Sequence, residues 1–177
     1  MIERRLFEIV LLYKLNCYHK VLESKDKTHH RAVTITGAML QNRLALLLLD
    51  IDERQYELVF SIGKQNGQMN SEWYGQFLGA CGLVRVIRAL SVISGVKIYL
   101  SNVLDDVDFG IDLIAFRGHR DWAISVKTEK TSSLMTISSF KFKPLERGKE
   151  QAIFDGVKLA QAHYDIPFLP SLVIVGR

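Results

Sequence analysis

The stretch from Val107 to Lys130, VDFGIDLIAFRGHRDWAISVKTEK, constrains the fold of this chain more than any other. It reads as two strands joined by a tight turn between Arg117 and Asp121. Side chains two apart in a strand share a face and neighbours do not. Pairing about that turn therefore groups Ile111, Leu113, Ala115, Ile124 and Val126 on one face. Asp112, Ser125 and Lys127 fall on the other, close enough to meet across the ladder. An acid and a lysine inside an otherwise apolar ribbon are costly to bury unless they are paired or bind an ion. As a plain buried salt bridge they would be a weak stabiliser, which marks them as a candidate site.

The chain has 177 residues, enough for one domain with a real core, and its 48% apolar and 24% charged content excludes disorder for most of its length. A formal net charge of +4 leans towards a polyanionic partner. Cys17 and Cys81 are the two cysteines, and no Cys/His spacing suits zinc. Sparse cysteine points to a reducing, intracellular setting, in the cytoplasm, nucleoid or nucleus. No cleavable leader is expected, and the apolar run Leu44 to Leu49 is too short to span a bilayer, so no membrane partner is expected.

In order, Ile2 to Leu22 carries apolar residues at Leu6, Ile9, Val10, Tyr13, Tyr18 and Val21 and reads as a helix. The polar stretch Glu23 to Arg31 reads as an exposed loop, with His29 and His30 lacking a third metal ligand at suitable spacing. Thr36 to Leu49 suits a second helix capped by Thr36, and Gln55 to Ile62 is strand-like, followed by a turn cluster from Gly63 to Asn70. Ser71 is a good cap for a helix running to Ser91, with Trp73, Phe77, Ala80, Val84 and Ile87 at helical spacing. Val96 to Leu100 is a short strand, leading to an acidic turn with Asp105, Asp106 and Asp108, then the ribbon. Thr131 to Phe142 is a loop or irregular strand. Glu146 to Tyr164 is amphipathic and helical, stopped by Pro167, and Leu172 to Val175 is an all-apolar strand of the kind covered on both faces. The domain reading is a mainly helical extension over 1–70 and an α/β core over 71–177. Trp73 and Trp122 are expected to fill the core.

The core order, helix, strand, strand, strand, helix, strand, with an acid on the second strand and a lysine on the third, resembles the PD-(D/E)XK nuclease superfamily of restriction-endonuclease-like fold. The resemblance covers roughly Ser71 to Gly176 and rests on Gly110-Ile111-Asp112, on Lys127, on Glu72 in the preceding helix and on a basic helix after the ribbon. It implies an α/β fold with an αβββαβ core and a mixed central sheet flanked by helices. By the same likeness Asp112 ligates Mg²⁺ or Mn²⁺, Glu72 completes the metal shell, and Lys127 contacts the attacking water or the scissile phosphate. Double-stranded DNA is the implied substrate, and a homodimer is implied because two strands need two sites. RNA would be cleaved by the same metal chemistry.

Ser125 departs from the pattern, standing where such nucleases carry a second acid two residues before the lysine. Some restriction enzymes with serine there recruit a glutamate from the following helix, and Glu146 or Glu150 are the candidates here. Lys130, Lys141, Lys143, Arg147 and Lys149 would contact phosphates, and Gln151 would position substrate. Glu72, in the first turn of its helix, has an independent structural reason to be there, because a carboxylate is favoured by the helix dipole. The rival reading, motivated by Ser125, is a catalytically inactive nuclease-fold subunit that binds nucleic acid or supports assembly.

Overall fold

The computed structural model describes residues 2–67, 71–128, 139–143 and 150–176. The chain is α/β and divides into two compact units, Met1–Cys81 and Gly82–Arg177. The division falls inside one helix, eleven residues beyond the boundary read from the sequence.

The first unit is helical. It contains α1 (Ile2–Glu23), α2 (His30–Leu49), α3 (Tyr56–Gly67) and the start of α4 (Ser71–Ser91). Leu6, Ile9, Val10 and Tyr13 bury one face of α1, but Tyr18 and Val21 are more than half exposed. Asn16 continues the buried line instead, donating to Val33 O and to Thr36 Oγ1, both at 2.8 Å. Thr36 is thus a buried mid-helix residue whose hydroxyl bonds back to Ala32 O, and it does not cap α2. The stretch expected as an exposed loop is a turn capped by Asp26, which accepts from the Thr28 amide at 3.0 Å, and α2 begins directly after it. The span Lys27–Leu49 is long and apolar enough to cross a membrane by length and composition, unlike the short run read from the sequence, and 33% of an apolar 18-residue window within it is buried. The expected strand over Gln55 to Ile62 is α3 instead. Asp52 and Gln55 form a reciprocal capping box that starts a helical turn, and Tyr56 and Val59 then fall on one buried face.

The second unit is a five-stranded mixed sheet with helices on both faces. Its strands are β1 (Lys97–Leu100), β2 (Leu113–Arg117), β3 (Arg120–Thr128), β4 (Ser139–Lys143) and β5 (Leu169–Gly176), in the order β1-β2-β3-β5-β4. β1, β2 and β3 run antiparallel in sequence, and β5 lies parallel to β3. A parallel neighbour requires a crossover, and α6 (Gln151–Tyr164) supplies it. Compared with the expected order, a seven-residue helix, α5 (Val103–Phe109), replaces the acidic turn, and β4 is added at the sheet edge. Ile111 and Ala123 pack with Val157 and Ala160 of α6 and with Phe168, placing α6 over one face. The Gly82–Ser91 half of α4 passes over the other, since a Cβ at Gly82 would lie 2.2 Å from Thr128 Oγ1.

Candidate functional site

Two residues, Gly118 and His119, join β2 and β3, and the register opposes Arg117 to Arg120, Ala115 to Trp122 and Leu113 to Ile124. Continued by one step, it brings Asp112 opposite Ser125. Asp112, Ser125 and Lys127 therefore share the face covered by α6. Ile111 departs from the alternation expected of it, packing with Ala123 beneath α6 and not with Leu113 and Ala115. The reason is local: β2 begins only at Leu113, and Gly110, at φ 66°, ends α5 and turns the chain just before.

Asp112 is fixed from three sides. Its amide donates to Ile124 O at 3.0 Å, while its carbonyl accepts from the Ser101 amide and hydroxyl, each at 3.1 Å. Its Oδ2 accepts from the Val126 amide at 2.7 Å and lies 3.4 Å from Ser125 Oγ. Oδ1 accepts no hydrogen bond among the described residues. The residue is only 8% exposed, and burial raises the pKa of its carboxyl above the usual carboxylate range. The Val126 amide, the Lys127 charge and the Ser125 hydroxyl oppose that rise, in descending order. Lys127 is exposed and makes no direct salt bridge to Asp112.

A second carboxylate is electrostatically coupled to this pair. Asp106 on α5 is half-buried, and its pKa is raised to about 6, first by burial and then by repulsion from Asp112, with Lys127 opposing. Asp106 was not singled out by sequence reasoning, because a run of three aspartates reads as a turn. The missed signal is a bracket: Asn102 caps α5, accepting from the Leu104 and Asp105 amides at 2.9 and 3.0 Å, and Gly110 closes it. Seven residues make little helix unaided, so α5 depends on its neighbours. Asp105 accepts from Asn102 Nδ2 at 2.6 Å and from the Tyr164 hydroxyl of α6 at 2.5 Å. Gly156 of α6 lets that helix meet the carbonyl of Phe109; a Cβ there would lie 2.0 Å from the oxygen.

The other expected participants are distributed as follows. Glu72 lies in the first turn of α4, with its side chain outside what is described; Lys141 and Lys143 are in β4, likewise without described side chains. Lys130, Glu146, Arg147 and Lys149 lie outside the described residues. Glu150 is the N-cap residue of α6, its carbonyl accepting from the Ile153 and Phe154 amides at 3.1 and 3.2 Å with no side-chain cap bond. It does not join Asp106 and Asp112, because no group of three metal-ligating side chains forms among the described residues. Gln151 is exposed and donates to Asp155 at 2.7 Å within α6. Trp73 is fully buried, whereas Trp122 is only partly buried and lines an open groove.

Two neighbouring carboxylates with a nearby lysine are a hard, oxygen-rich donor set. Mg²⁺ is commonly held by one or two carboxylates and completes its shell with water and substrate phosphate oxygens, so these residues fit such an ion. No family model, no curated protein and no solved structure matches the chain.

Proposed function

We propose that the chain is a metal-dependent endonuclease that hydrolyses phosphodiester bonds of DNA, with a restriction-endonuclease-like core in its second unit. The observation that carries the reading is the shared face of Asp112, Ser125 and Lys127 with Asp106 alongside. Asp112 and Asp106 would hold Mg²⁺ or Mn²⁺, which supplies charge neutralisation at the phosphoryl oxygens and a lowered pKa for water. Hydrogen bonds hold the Asp112 carbonyl and its Oδ2, leaving Oδ1 for a ligand. Ser125 occupies the second-acid position and donates towards Asp112, so the missing negative charge is supplied by Asp106 from another element. Lys127 places a positive charge where negative charge develops on the transferred phosphoryl group. Glu72 and the basic residues Lys130, Lys141, Lys143, Arg147 and Lys149 are proposed as further metal and phosphate contacts, and a homodimer as the form that cuts two strands.

Ser125 favours a second reading, an inactive nucleic-acid-binding or assembly subunit on the same scaffold, since the described residues gather two carboxylates and not three. Titration calorimetry with Mn²⁺ and plasmid nicking separate the two. The enzyme reading expects Asp112→Ala to abolish Mn²⁺ binding and Lys127→Ala to abolish nicking while Mn²⁺ still binds. Cleavage that survives both substitutions ends the enzyme reading. DNA binding without cleavage by the unaltered chain establishes the second.

A further inference from the structure

The sheet face opposite Asp112 holds a separate hollow. Its floor is the cross-strand pair Ala115 and Trp122 with Ile124 beside it, and its wall is Leu90, Ile93 and Val96 at and beyond the end of α4. A small residue directly opposite a large one leaves the volume unfilled, and about 270 Å³ stands open. At a water's share of liquid volume, about 30 Å³, that space equals roughly nine waters, the scale of a small organic molecule. Among the residues that line it, Arg117, at the hairpin end, is the one that carries a charge.

Arg117 is exposed and faces Arg120 directly across the ladder. Like charges placed opposite one another in a sheet destabilise it. Neither arginine makes a salt bridge among the described residues, and with Asp121 the one carboxylate of the hairpin end, a net positive charge stands at the mouth of an apolar groove. An anion bound there relieves the repulsion, and an apolar body attached to that anion fills the hollow.

We propose that this groove is a binding site for a small amphipathic anion, about ten non-hydrogen atoms in all and ending in one carboxylate, with Arg117 taking the head group and Trp122 and Ala115 receiving the apolar body. Arginine suits the head group because its planar fork matches a carboxylate. The site is independent of the proposed metal chemistry, because its residues lie on the other face of β2 and β3.

The test uses the full chain with sodium octanoate and with 1-octanol, followed by calorimetry and tryptophan fluorescence. Octanoate is expected to saturate with a Kd near or below about 1 mM, shifting the emission of the partly buried Trp122. Arg117→Gln is expected to weaken octanoate about tenfold, leaving octanol unchanged, since only the acid uses the charge. Ala115→Leu fills the hollow and is expected to abolish both; should that variant misfold, Arg117→Gln still decides. Asp112→Ala leaves octanoate binding intact. Absence of saturation by about 10 mM octanoate, ten times the expected Kd, or equal loss of acid and alcohol in Arg117→Gln, overturns the proposal. Sedimentation showing self-association that Ala115→Leu abolishes and octanoate does not affect also overturns it, assigning the hollow to a second copy.

Discussion

The helical unit and the α/β unit treat polar groups in opposite ways. In Met1–Cys81 the buried polar residues Asn16 and Thr36 are neutral and hydrogen-bonded to each other and to backbone carbonyls. Carboxylates there sit towards solvent beside a base, as Asp50 with Arg5 at 2.6 Å and Asp52 with Arg54 at 3.0 Å. In Gly82–Arg177, Asp112 is buried and Asp106 half-buried, and among the described residues neither has a basic side chain in hydrogen-bond contact. The first arrangement closes Asn16 and Thr36 with neutral partners, while His19 Nδ1 and Gln76 Oε1 stay buried without a hydrogen bond among the described residues. The second leaves charge partly desolvated, which costs stability and marks a place where a ligand can compensate it.

Two helical glycines and one acid put that contrast under test. The largest effect is expected at Gly156→Ala, whose Cβ would lie 2.0 Å from a backbone oxygen that cannot swing aside. Overpacking of this kind costs about 3 kcal/mol, measured by urea unfolding. Displacement of α5 should also weaken Mn²⁺ binding; a variant with wild-type stability and affinity would show that α6 does not hold α5 in place.

Asp106→Asn should have a smaller effect of the opposite sign. Because its folded pKa is raised to about 6, the folded state binds the Asp106 proton more tightly than the unfolded chain does. The stability that this proton contributes is present at low pH and is lost as pH rises from the ordinary carboxylate range through about 6. At pH 8 the amide should stabilise the protein by about 1 kcal/mol, the full shift being discounted for the partial exposure of the group. It should also flatten the slope of stability against pH in that window and weaken Mn²⁺ binding. A thermal melt at pH 8 showing no gain, or an unchanged slope, would mean that Asp106 is not a desolvated charge. The smallest effect belongs to the helical unit: Gly75 is exposed in α4 with nothing within 4 Å of an added Cβ. Gly75→Ala should raise stability by about 0.5–1 kcal/mol and leave metal and octanoate binding untouched. A loss would mean that the exposed side of α4 there is already in use.

Much of the second unit was legible because its signals are local and periodic. Alternation through Leu113 to Val126, with a glycine in the turn, is enough to assign faces to Asp112, Ser125 and Lys127. The all-apolar Leu172–Val175 signalled a strand covered on both sides, and it is part of β5. The misreadings have equally local causes. The apolar content of Tyr56 to Ile62 suited a strand, but the Asp52–Gln55 capping box sets a helix going. Tyr18 and Val21 fit the helical spacing of α1 yet are exposed, because burial follows where α2 packs and not the period alone. Asp106 was hidden because α5 is too short to announce itself, and three aspartates in four positions resemble a turn.

By itself the sequence determined the ribbon, its turn and the face on which the acid, serine and lysine stand, since a period of two is a property of the backbone alone. Only the tertiary structure decided which carboxylate joins them. That choice depends on Tyr164 reaching Asp105 across 59 residues of chain and on Gly156 admitting the Phe109 carbonyl. Contacts between elements so distant in sequence are set by packing, and no local pattern encodes them.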